Sequence, residues 1–340
     1  MNACLVSVRN DERDLKEMVG MDTNDANICY LMGGIRHLWC GERNLDKFKE
    51  YDLIMFTMSK VQGSYENTWL ELVKLLKKKY PNTIIVVYQE AEMEWSMYRP
   101  INEQINLFEN LKYADMFICH NQSDIGYFKY LIPNIKVSYC PSALPIAKIK
   151  EYAIPVEKKR TDVLEIIFGS SFDHRSCGMF GYAVAMELKR KYKGRIKLTQ
   201  YHRTQWNDDR NEQIKKHFGY DFEILPHMGW LDYITRLSKS YISMNLMMLA
   251  AAGRDAIVFA ALGIPHIGNA RLELLSHRTN KLFNILDLQE VCMYCDKLLV
   301  NDCVYYVHQQ MELSHVMVHS FGNVKRHLQC IFENELGVRI

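Results

Sequence analysis

The stretch from residue 229 to residue 268 constrains the fold more than any other part of the chain. It reads GWLDYITRLSKSYISMNLMMLAAAGRDAIVFAALGIPHIG. Its hydrophobic pattern predicts, in order, an amphipathic helix, a buried strand, an apolar helix and a short strand, at residues 233–240, 241–246, 256–262 and 266–268. Two strands joined through a helix run parallel in one sheet, so the stretch predicts an α/β fold.

A similar alternation runs through the rest of the chain. Residues 52–58 (DLIMFTM) and 83–88 (TIIVVY) are continuous apolar runs, typical of parallel strands buried on both faces. Residues 68–80 between them carry apolar side chains at helical spacing. By the same criteria we predict further strands at residues 4–8, 27–32, 114–119, 136–140, 164–168, 197–201 and 222–225, and helices at 102–111, 123–131 and 180–191.

Length and local composition divide this alternation into two domains. A chain of 340 residues exceeds the usual size of a single core. Residues 145–162 are charged and contain two prolines, so we interpret them as a linker. We therefore predict Rossmann-like domains over residues 1–150 and 151–340, the second ending in a helical tail after residue 271.

The composition argues against several classes of protein. A net charge of +2 excludes a polybasic coat for nucleic acid but leaves local basic patches open. No apolar run is long enough to span a bilayer, and the N-terminus is a poor signal peptide. Ten cysteines lack the spacing of a disulfide framework, which fits reduced thiols in the cytoplasm. The CxxC pair Cys292 and Cys295 lies in a helical pattern, so we predict no metal site there.

One loop of the second domain has the composition of a phosphate-binding loop. Residues 169–178 (GSSFDHRSCG) follow a predicted buried strand and open a predicted helix. Backbone N–H groups from Gly169 onward suit a phosphate, as do the hydroxyls of Ser170 and Ser171. Arg175 would neutralise the phosphate charge. An ordinary polar loop is the alternative, because the segment matches neither the P-loop nor the GxGxxG pattern.

Arg254 and Asp255 occupy a second loop of this kind, just before the helix predicted over residues 256–262. A guanidinium at a helix N-terminus is a forked donor for phosphate. Two loops with one arginine each suit the two phosphates of a nucleoside diphosphate. The alternative is a surface ion pair in which Asp255 complements the helix dipole.

Carboxylates follow the predicted strand at residues 83–88, in the segment QEAEMEW. Transfer of a group to a hydroxyl needs a general base, and a carboxylate at a strand tip is placed to act as one. Glu90 lies nearest the tip and is the first candidate, and Glu92 is the second. A solvated acidic loop is the alternative interpretation.

Polar residues that suit an acceptor substrate lie in two further segments. Ser59, Lys60 and Gln62 follow the predicted strand at residues 52–58, where a plain connector is the alternative. Arg203 lies in the segment YHRTQW, whose basic and aromatic residues suit nucleic-acid phosphates.

Three stretches, YDLIMFTMSKVQGSYENTWLELVKLLKKKYPNTIIVVYQE, LEIIFGSSFDHRS and the Arg254 segment, resemble the DNA β-glucosyltransferases of T-even phages. The resemblance covers residues 51–90 and 164–268, and much of it is shared with other GT-B glycosyltransferases. It implies the GT-B fold, an α/β fold with two Rossmann-like domains, a cleft between them and a helical C-terminal tail. It also implies inverting transfer of glucose from UDP-glucose to 5-hydroxymethylcytosine in duplex DNA.

Residue by residue, the resemblance matches Glu90 to the catalytic aspartate of that family. It matches Ser171, Phe172 and Arg175 to the first diphosphate loop, and Arg254 to the second phosphate arginine. Val258 falls where the family has an acidic residue on the uridine ribose, which is a departure. The paired-glutamate motif of common retaining GT-B enzymes and a metal-binding DxD motif are both absent.

These features lead to one hypothesis with two alternatives. The leading one is an inverting glycosyltransferase that moves a sugar from a nucleotide sugar, such as UDP-glucose, to a 5-hydroxymethylpyrimidine in phage DNA. It predicts a monomer in the host cytoplasm, with no membrane partner, no required cofactor or metal, and a target base flipped out of duplex DNA. The alternatives are a protein, glycan or small-molecule acceptor, and an inactive module that binds nucleotide sugars.

Overall fold

The computed structural model describes residues 1–9, 12–20, 24–58, 65–90, 97, 99–169, 178–201, 212–213, 215–217, 219, 222–226, 228–246, 253–268 and 287–340. They form two compact units, the first being Met1–Pro145 with Val318–Ile340 and the second Ile146–Met317. We predicted a domain boundary at residue 150, with residues 318–340 in the second domain. These residues instead return to the first unit, because Val324, Leu328 and Phe332 are buried in its core.

A seven-stranded sheet forms the centre of the first unit. Its strand order is β2-β3-β1-β4-β5-β6-β7, and each neighbouring pair is parallel except β2 and β3. The strands are β1 (Ala3–Ser7), β2 (Arg13–Asp14), β3 (Gly34–Trp39), β4 (Leu53–Met58), β5 (Ile84–Gln89), β6 (Met116–Cys119) and β7 (Lys136–Tyr139).

Two hydrophobic cores lie on opposite faces of this sheet, because successive side chains of a strand point to opposite sides. Ile54 and Phe56 of β4 belong to one core, and Leu53 and Met55 belong to the other. The helices of the unit are α1 (Leu15–Met18), α2 (Asn24–Leu31), α3 (Tyr65–Lys79), α4 (Ile101–Leu111), α5 (Ile125–Leu131) and, from the C-terminal segment, α13 (Phe321–Leu336).

The strand predicted at residues 27–32 is wrong, since these residues lie in and just after helix α2. Seven of the eight residues of α2 are buried. The helix therefore lacks the exposed polar face that gives the sequence of a surface helix its period of about 3.6 residues. The true strand, β3, begins at Gly34. A Cβ there would lie 2.7 Å from the carbonyl oxygen of Cys29, so the close approach of α2 requires glycine.

The second unit is built around a five-stranded parallel sheet with the order β10-β9-β8-β11-β12. All five strands were predicted from apolar runs. Their observed bounds are β8 (Leu164–Gly169), β9 (Ile196–Tyr201), β10 (Glu223–Ile224), β11 (Ile242–Asn245) and β12 (His266–Gly268).

The described helices of the second unit begin in the segment interpreted as a linker, which folds into two short helices. The described residues after 286 are largely helical, as predicted for the tail. The helices are α6 (Ile146–Lys150), α7 (Val156–Lys159), α8 (Gly178–Tyr192), α9 (Trp230–Leu237), α10 (Arg254–Ala261), α11 (Leu288–Val300) and α12 (Asp302–His315).

Candidate functional site

The strand order of the second unit identifies where a ligand fits. The chain leaves β8 towards β9 and β10 on one side, then returns to β11 and β12 on the other. In open parallel sheets, ligands bind beyond the carboxyl ends of the strands where this direction changes. That point lies at the ends of β8 and β11, which are Gly169 and Asn245. Of the predicted phosphate-binding residues, Gly169 ends β8 and Arg254 follows β11.

Gly169 makes room for a tyrosine side chain that crosses the end of β8. Gly169 pairs with Tyr201, the last residue of β9. A Cβ on residue 169 would lie 2.5 Å from Cζ of Tyr201 and closer still to its hydroxyl oxygen. The close approach of the ring therefore excludes any side chain at position 169.

The hydroxyl of Tyr201 joins β9 to the ends of β11 and α10. It donates a hydrogen bond to Oδ2 of Asp255 at 3.0 Å and accepts one from Nδ2 of Asn245 at 3.2 Å. Oδ1 of Asn245 is buried and has no hydrogen-bond partner among the residues that the structure describes. One tyrosine thus connects three strand ends and the first turn of a helix.

Arg254 is the first residue of α10, so the helix begins two residues earlier than predicted and includes the predicted loop residues Arg254 and Asp255. Gly253 before it has φ of +66°, a left-handed conformation that favours glycine. The first N–H groups of a helix lack intrahelical partners, and together with the helix dipole they attract anions. The N-terminal end of α10 therefore places the backbone N–H groups of a first helical turn next to a guanidinium.

Val258 lies one helical turn after Arg254 and is only 2% exposed. Its side chain belongs to the interior of the unit, together with Ile257 and Phe259 on the same helix. The resembled family has an acidic residue at this position, whereas Val258 is apolar and packs in the interior of the unit.

A buried polar chain supports the far end of α10, and the sequence analysis missed it. Both carboxylate oxygens of Glu312 accept hydrogen bonds from the backbone N–H of His266, at 3.0 and 3.2 Å. Nε2 of His308 lies 3.1 Å from the same carboxylate, and Nε2 of Gln309 donates to the carbonyl oxygen of Gly263 at 2.6 Å. These contacts anchor α12 to the turn between α10 and β12.

In the first unit, Glu90 directly follows β5 at the carboxyl edge of the sheet. Its backbone N–H donates to the carbonyl oxygen of Met58 at the end of β4, at 3.0 Å, and its side chain is half-buried. The direction of the chain also changes in this sheet, between β1 and β4. Glu90 thus lies one strand away from the point where ligands bind in such sheets.

Buried polar side chains surround this edge and were not identified from the sequence. Nδ1 of His120 lies 2.6 Å from the carbonyl oxygen of Gln89. Because a carbonyl only accepts, Nδ1 carries a proton and donates this hydrogen bond. Nε2 of Gln89 donates to Asp124 at 2.6 Å. Asn121 is 1% exposed, and neither atom of its amide has a hydrogen-bond partner among the described residues.

The same edge holds two more buried polar pairs at the ends of β1 and β4. The hydroxyl of Ser7 lies 2.7 Å from Nε2 of His37, and the hydroxyl of Thr57 donates to Asp25 at 2.9 Å. Polar groups are buried only where hydrogen bonds offset their desolvation, so the concentration of such pairs makes this edge a candidate site.

Eight of the predicted site residues lie outside the described residues: Ser59, Lys60, Gln62, Glu92, Ser170, Ser171, Arg175 and Arg203. Within the described ranges, no three His, Cys, Asp or Glu side chains cluster in a way that suits a metal ion. No helix in that part of the chain is long and apolar enough to cross a membrane.

Comparison with known proteins adds to this geometry. No protein-family model matches the sequence, and no curated protein matches it. A sucrose-phosphate synthase from Thermosynechococcus elongatus is similar in structure, with a TM-score of 0.73, 12% identity and 99% of both chains covered. An alpha-glucosyltransferase in complex with UDP and a 13-mer DNA containing an HMU base gives a TM-score of 0.68 at 13% identity, covering 99% of this chain and 100% of that one.

A third similar structure is an alpha,alpha-trehalose 6-phosphate synthase from Burkholderia multivorans. Its TM-score is 0.69 at 10% identity, and the match covers 92% of this chain and 74% of that one. These similarities confirm the predicted fold class: the chain has the α/β GT-B fold, and the resemblance to GT-B glycosyltransferases holds for its fold.

Proposed function

We propose that this protein is a glycosyltransferase that uses a nucleotide-sugar donor. The proposal rests on the residues at the carboxyl edge of the second sheet. There, Gly169 ends one of the two strands between which the chain changes direction, and the N-terminus of α10 with Arg254 follows the other. A helix N-terminus with an arginine at this edge of a parallel sheet suits a diphosphate.

The donor would bind through its diphosphate. Arg254 and the first N–H groups of α10 would hold one phosphate, and the loop after Gly169, with Ser170, Ser171 and Arg175, would hold the other. These groups would stabilise the negative charge that develops on the departing nucleoside diphosphate. We propose UDP as the nucleotide, since similar solved structures are described as bound to UDP or UDP-glucose.

Glu90 is our candidate for the general base that takes a proton from the acceptor hydroxyl, with Glu92 as the second candidate. Direct attack of that hydroxyl on the sugar inverts the anomeric carbon. The buried amide of Asn121, which follows β6 next to the strand that ends before Glu90, suits a substrate rich in hydroxyl groups.

We propose a 5-hydroxymethylpyrimidine in duplex DNA as the acceptor. Support comes from the similar alpha-glucosyltransferase, whose structure contains UDP and DNA with an HMU base. Ser59, Lys60, Gln62 and Arg203 would contact this acceptor. A small phosphorylated sugar is the second candidate, favoured by the similarity to sucrose-phosphate and trehalose 6-phosphate synthases.

The test incubates the protein with UDP-glucose and either hydroxymethylated duplex DNA or a hexose phosphate, and identifies glucosylated products by mass spectrometry. We expect Glu90→Gln to lower the rate by about 10²–10⁴-fold, the usual contribution of a general base. Glu71→Gln, at an exposed position on α3, is the matched control and should retain full activity.

Three results would count against specific parts of the proposal. Full activity in Glu90→Gln would remove this residue as the base. NMR of the product decides the stereochemistry: a β-glucoside from UDP-α-glucose supports direct displacement, whereas an α-glucoside contradicts it. Absence of transfer from any nucleotide sugar to both acceptors, with tight UDP binding retained, would favour a binding module.

A further inference from the structure

We propose that Tyr201 is a positioning residue that turns the Asp255 carboxylate away from the diphosphate-binding end of α10. The inference rests on the proposed function, since it concerns the same end of the second sheet. It also changes the role of Asp255, which the sequence analysis grouped with the ligand-binding residues.

The position of Asp255 creates an electrostatic conflict. Asp255 directly follows Arg254 in the first turn of α10, where N–H groups and the helix dipole attract negative charge. An aspartate in this turn competes with a bound diphosphate for the same positive potential and repels it. Phosphate binding by Arg254 is therefore strongest when the neighbouring carboxylate points elsewhere.

The structure holds that carboxylate against the sheet. Oδ2 of Asp255 accepts the hydroxyl hydrogen bond of Tyr201 at 3.0 Å. The hydroxyl reaches this point because the ring crosses the space left by Gly169. Asn245 donates to the same hydroxyl oxygen at 3.2 Å, which leaves the hydroxyl proton directed at Asp255.

Packing alone does not explain the hydroxyl. The ring of Tyr201 is 4% exposed and contacts the rings of Phe259 and Tyr233, with centroids 5.8 and 6.3 Å away. A phenylalanine would make these contacts equally well. The substitution Tyr201→Phe therefore separates the hydrogen bond from the packing.

The experiment measures binding of UDP by titration calorimetry, with GDP and ADP as alternative probes, at low and high salt. We expect Tyr201→Phe to weaken binding about tenfold at low salt, which corresponds to about 1.4 kcal/mol, and less at high salt where charge repulsion is screened. Asp255→Asn should bind at least as tightly as the wild type. The double variant Tyr201→Phe/Asp255→Asn should regain wild-type affinity, because the freed side chain no longer carries a charge.

Tyr305→Phe is the matched control. Tyr305 is also buried in the second unit, and its hydroxyl donates to the carbonyl oxygen of Tyr241 at 3.0 Å, at the opposite ends of the strands. This variant loses a comparable hydrogen bond and should leave UDP affinity unchanged. Thermal melts of all variants verify that each remains folded.

Two outcomes overturn the positioning role while leaving the proposed function intact. One is wild-type affinity in Tyr201→Phe. The other is a double variant as weak as Tyr201→Phe alone, since a disordered helix end is not repaired by removing a charge. If the wild-type protein binds none of the three nucleotides, the proposed function fails and this inference fails with it.

Discussion

Gly169 offers the most direct test of how the strand ends of the second unit are packed. In Gly169→Ala, the added Cβ would lie 2.5 Å from Cζ of Tyr201. Carbon atoms prefer separations of about 3.5–4.0 Å, so the ring would have to move by about 1 Å. The backbone on both sides is held by the paired strands β8 and β9, and the side chain of Tyr201 is the part that can move.

The loss of stability in Gly169→Ala follows from the contacts that are broken when the Tyr201 ring moves. The hydroxyl of Tyr201 would lose its hydrogen bonds to Asp255 and Asn245, which are 3.0 and 3.2 Å long. Two hydrogen bonds contribute about 1–3 kcal/mol, and overpacking of a buried ring adds about 1–3 kcal/mol. We therefore expect the free energy of unfolding of the second unit to fall by about 2–6 kcal/mol.

The assay is urea and thermal unfolding followed by circular dichroism, with Gly194→Ala as the matched control. Gly194 lies in the same unit, and a Cβ there would meet no atom within 4 Å. The control should be neutral or slightly stabilising, because alanine restricts the unfolded chain. Gly169→Ala should lower the melting temperature by about 2–4 °C for each kcal/mol lost.

A double-mutant cycle makes the reasoning refutable. In a Tyr201→Leu background the clash is absent, so adding Gly169→Ala should cost less than about 1 kcal/mol. The explanation fails if Gly169→Ala is as stable as the wild type. It also fails if the alanine costs as much with leucine at position 201 as it does with tyrosine.

Three further predictions concern other residues. Arg254→Ala should weaken UDP binding by about 10–100-fold in calorimetry, since a charged hydrogen bond contributes about 1.5–3 kcal/mol. Arg254→Lys should recover only part of the lost affinity, because lysine lacks the forked donors of arginine. An affinity of Arg254→Ala equal to that of the wild type would exclude Arg254 as a ligand. Arg236→Met should destabilise the second unit by about 1.5–3 kcal/mol in urea, because the half-buried Glu165 carboxylate loses its charged hydrogen bonds from Arg236 and keeps its contacts with Thr199 and Lys197. Arg236→Met/Glu165→Gln should recover most of this loss. Burial raises the pKa of Glu165, but hydrogen bonds from Arg236 and Thr199 outweigh it and hold the pKa below its usual value. The stabilisation is therefore complete above the unfolded-state pKa of about 4.3 and is lost as pH falls through the folded-state pKa, so unfolding of the arginine variant should lack this acid-dependent component. Asn121→Leu should raise the stability of the first unit by about 1 kcal/mol, because it removes a buried amide without partners among the described residues, and a large loss of stability would show that the amide is satisfied.

The regular elements of both units follow closely from hydrophobic patterning. Strands β4 and β5 are nearly continuous apolar runs and are buried on both faces, and helix α3 between them is amphipathic. Helix α2 and strand β3 were not predicted, and in α2 burial on nearly all sides removes the period that identifies a surface helix. The residues of α13 were predicted to be helical, but α13 packs in the first unit because of contacts with residues far away in the chain.

The candidate site was predicted in part for the same reason. Gly169, Arg254 and Glu90 could be selected because each follows a recognisable strand, and the carboxyl ends of parallel strands lie at one edge of a sheet. Tyr201, Asn121 and His120 carry no local signal in the sequence.

The sequence by itself determined the parallel α/β architecture and the strand ends that carry charge. Both are encoded by residues a few positions apart, through hydrophobic period and turn composition. Only the tertiary structure decided that Tyr201 reaches Asp255, 54 positions away, and that Gly169 must lack a side chain for it to do so. Such contacts depend on strand order and register, which bring distant residues within hydrogen-bond length and leave no mark on local pattern.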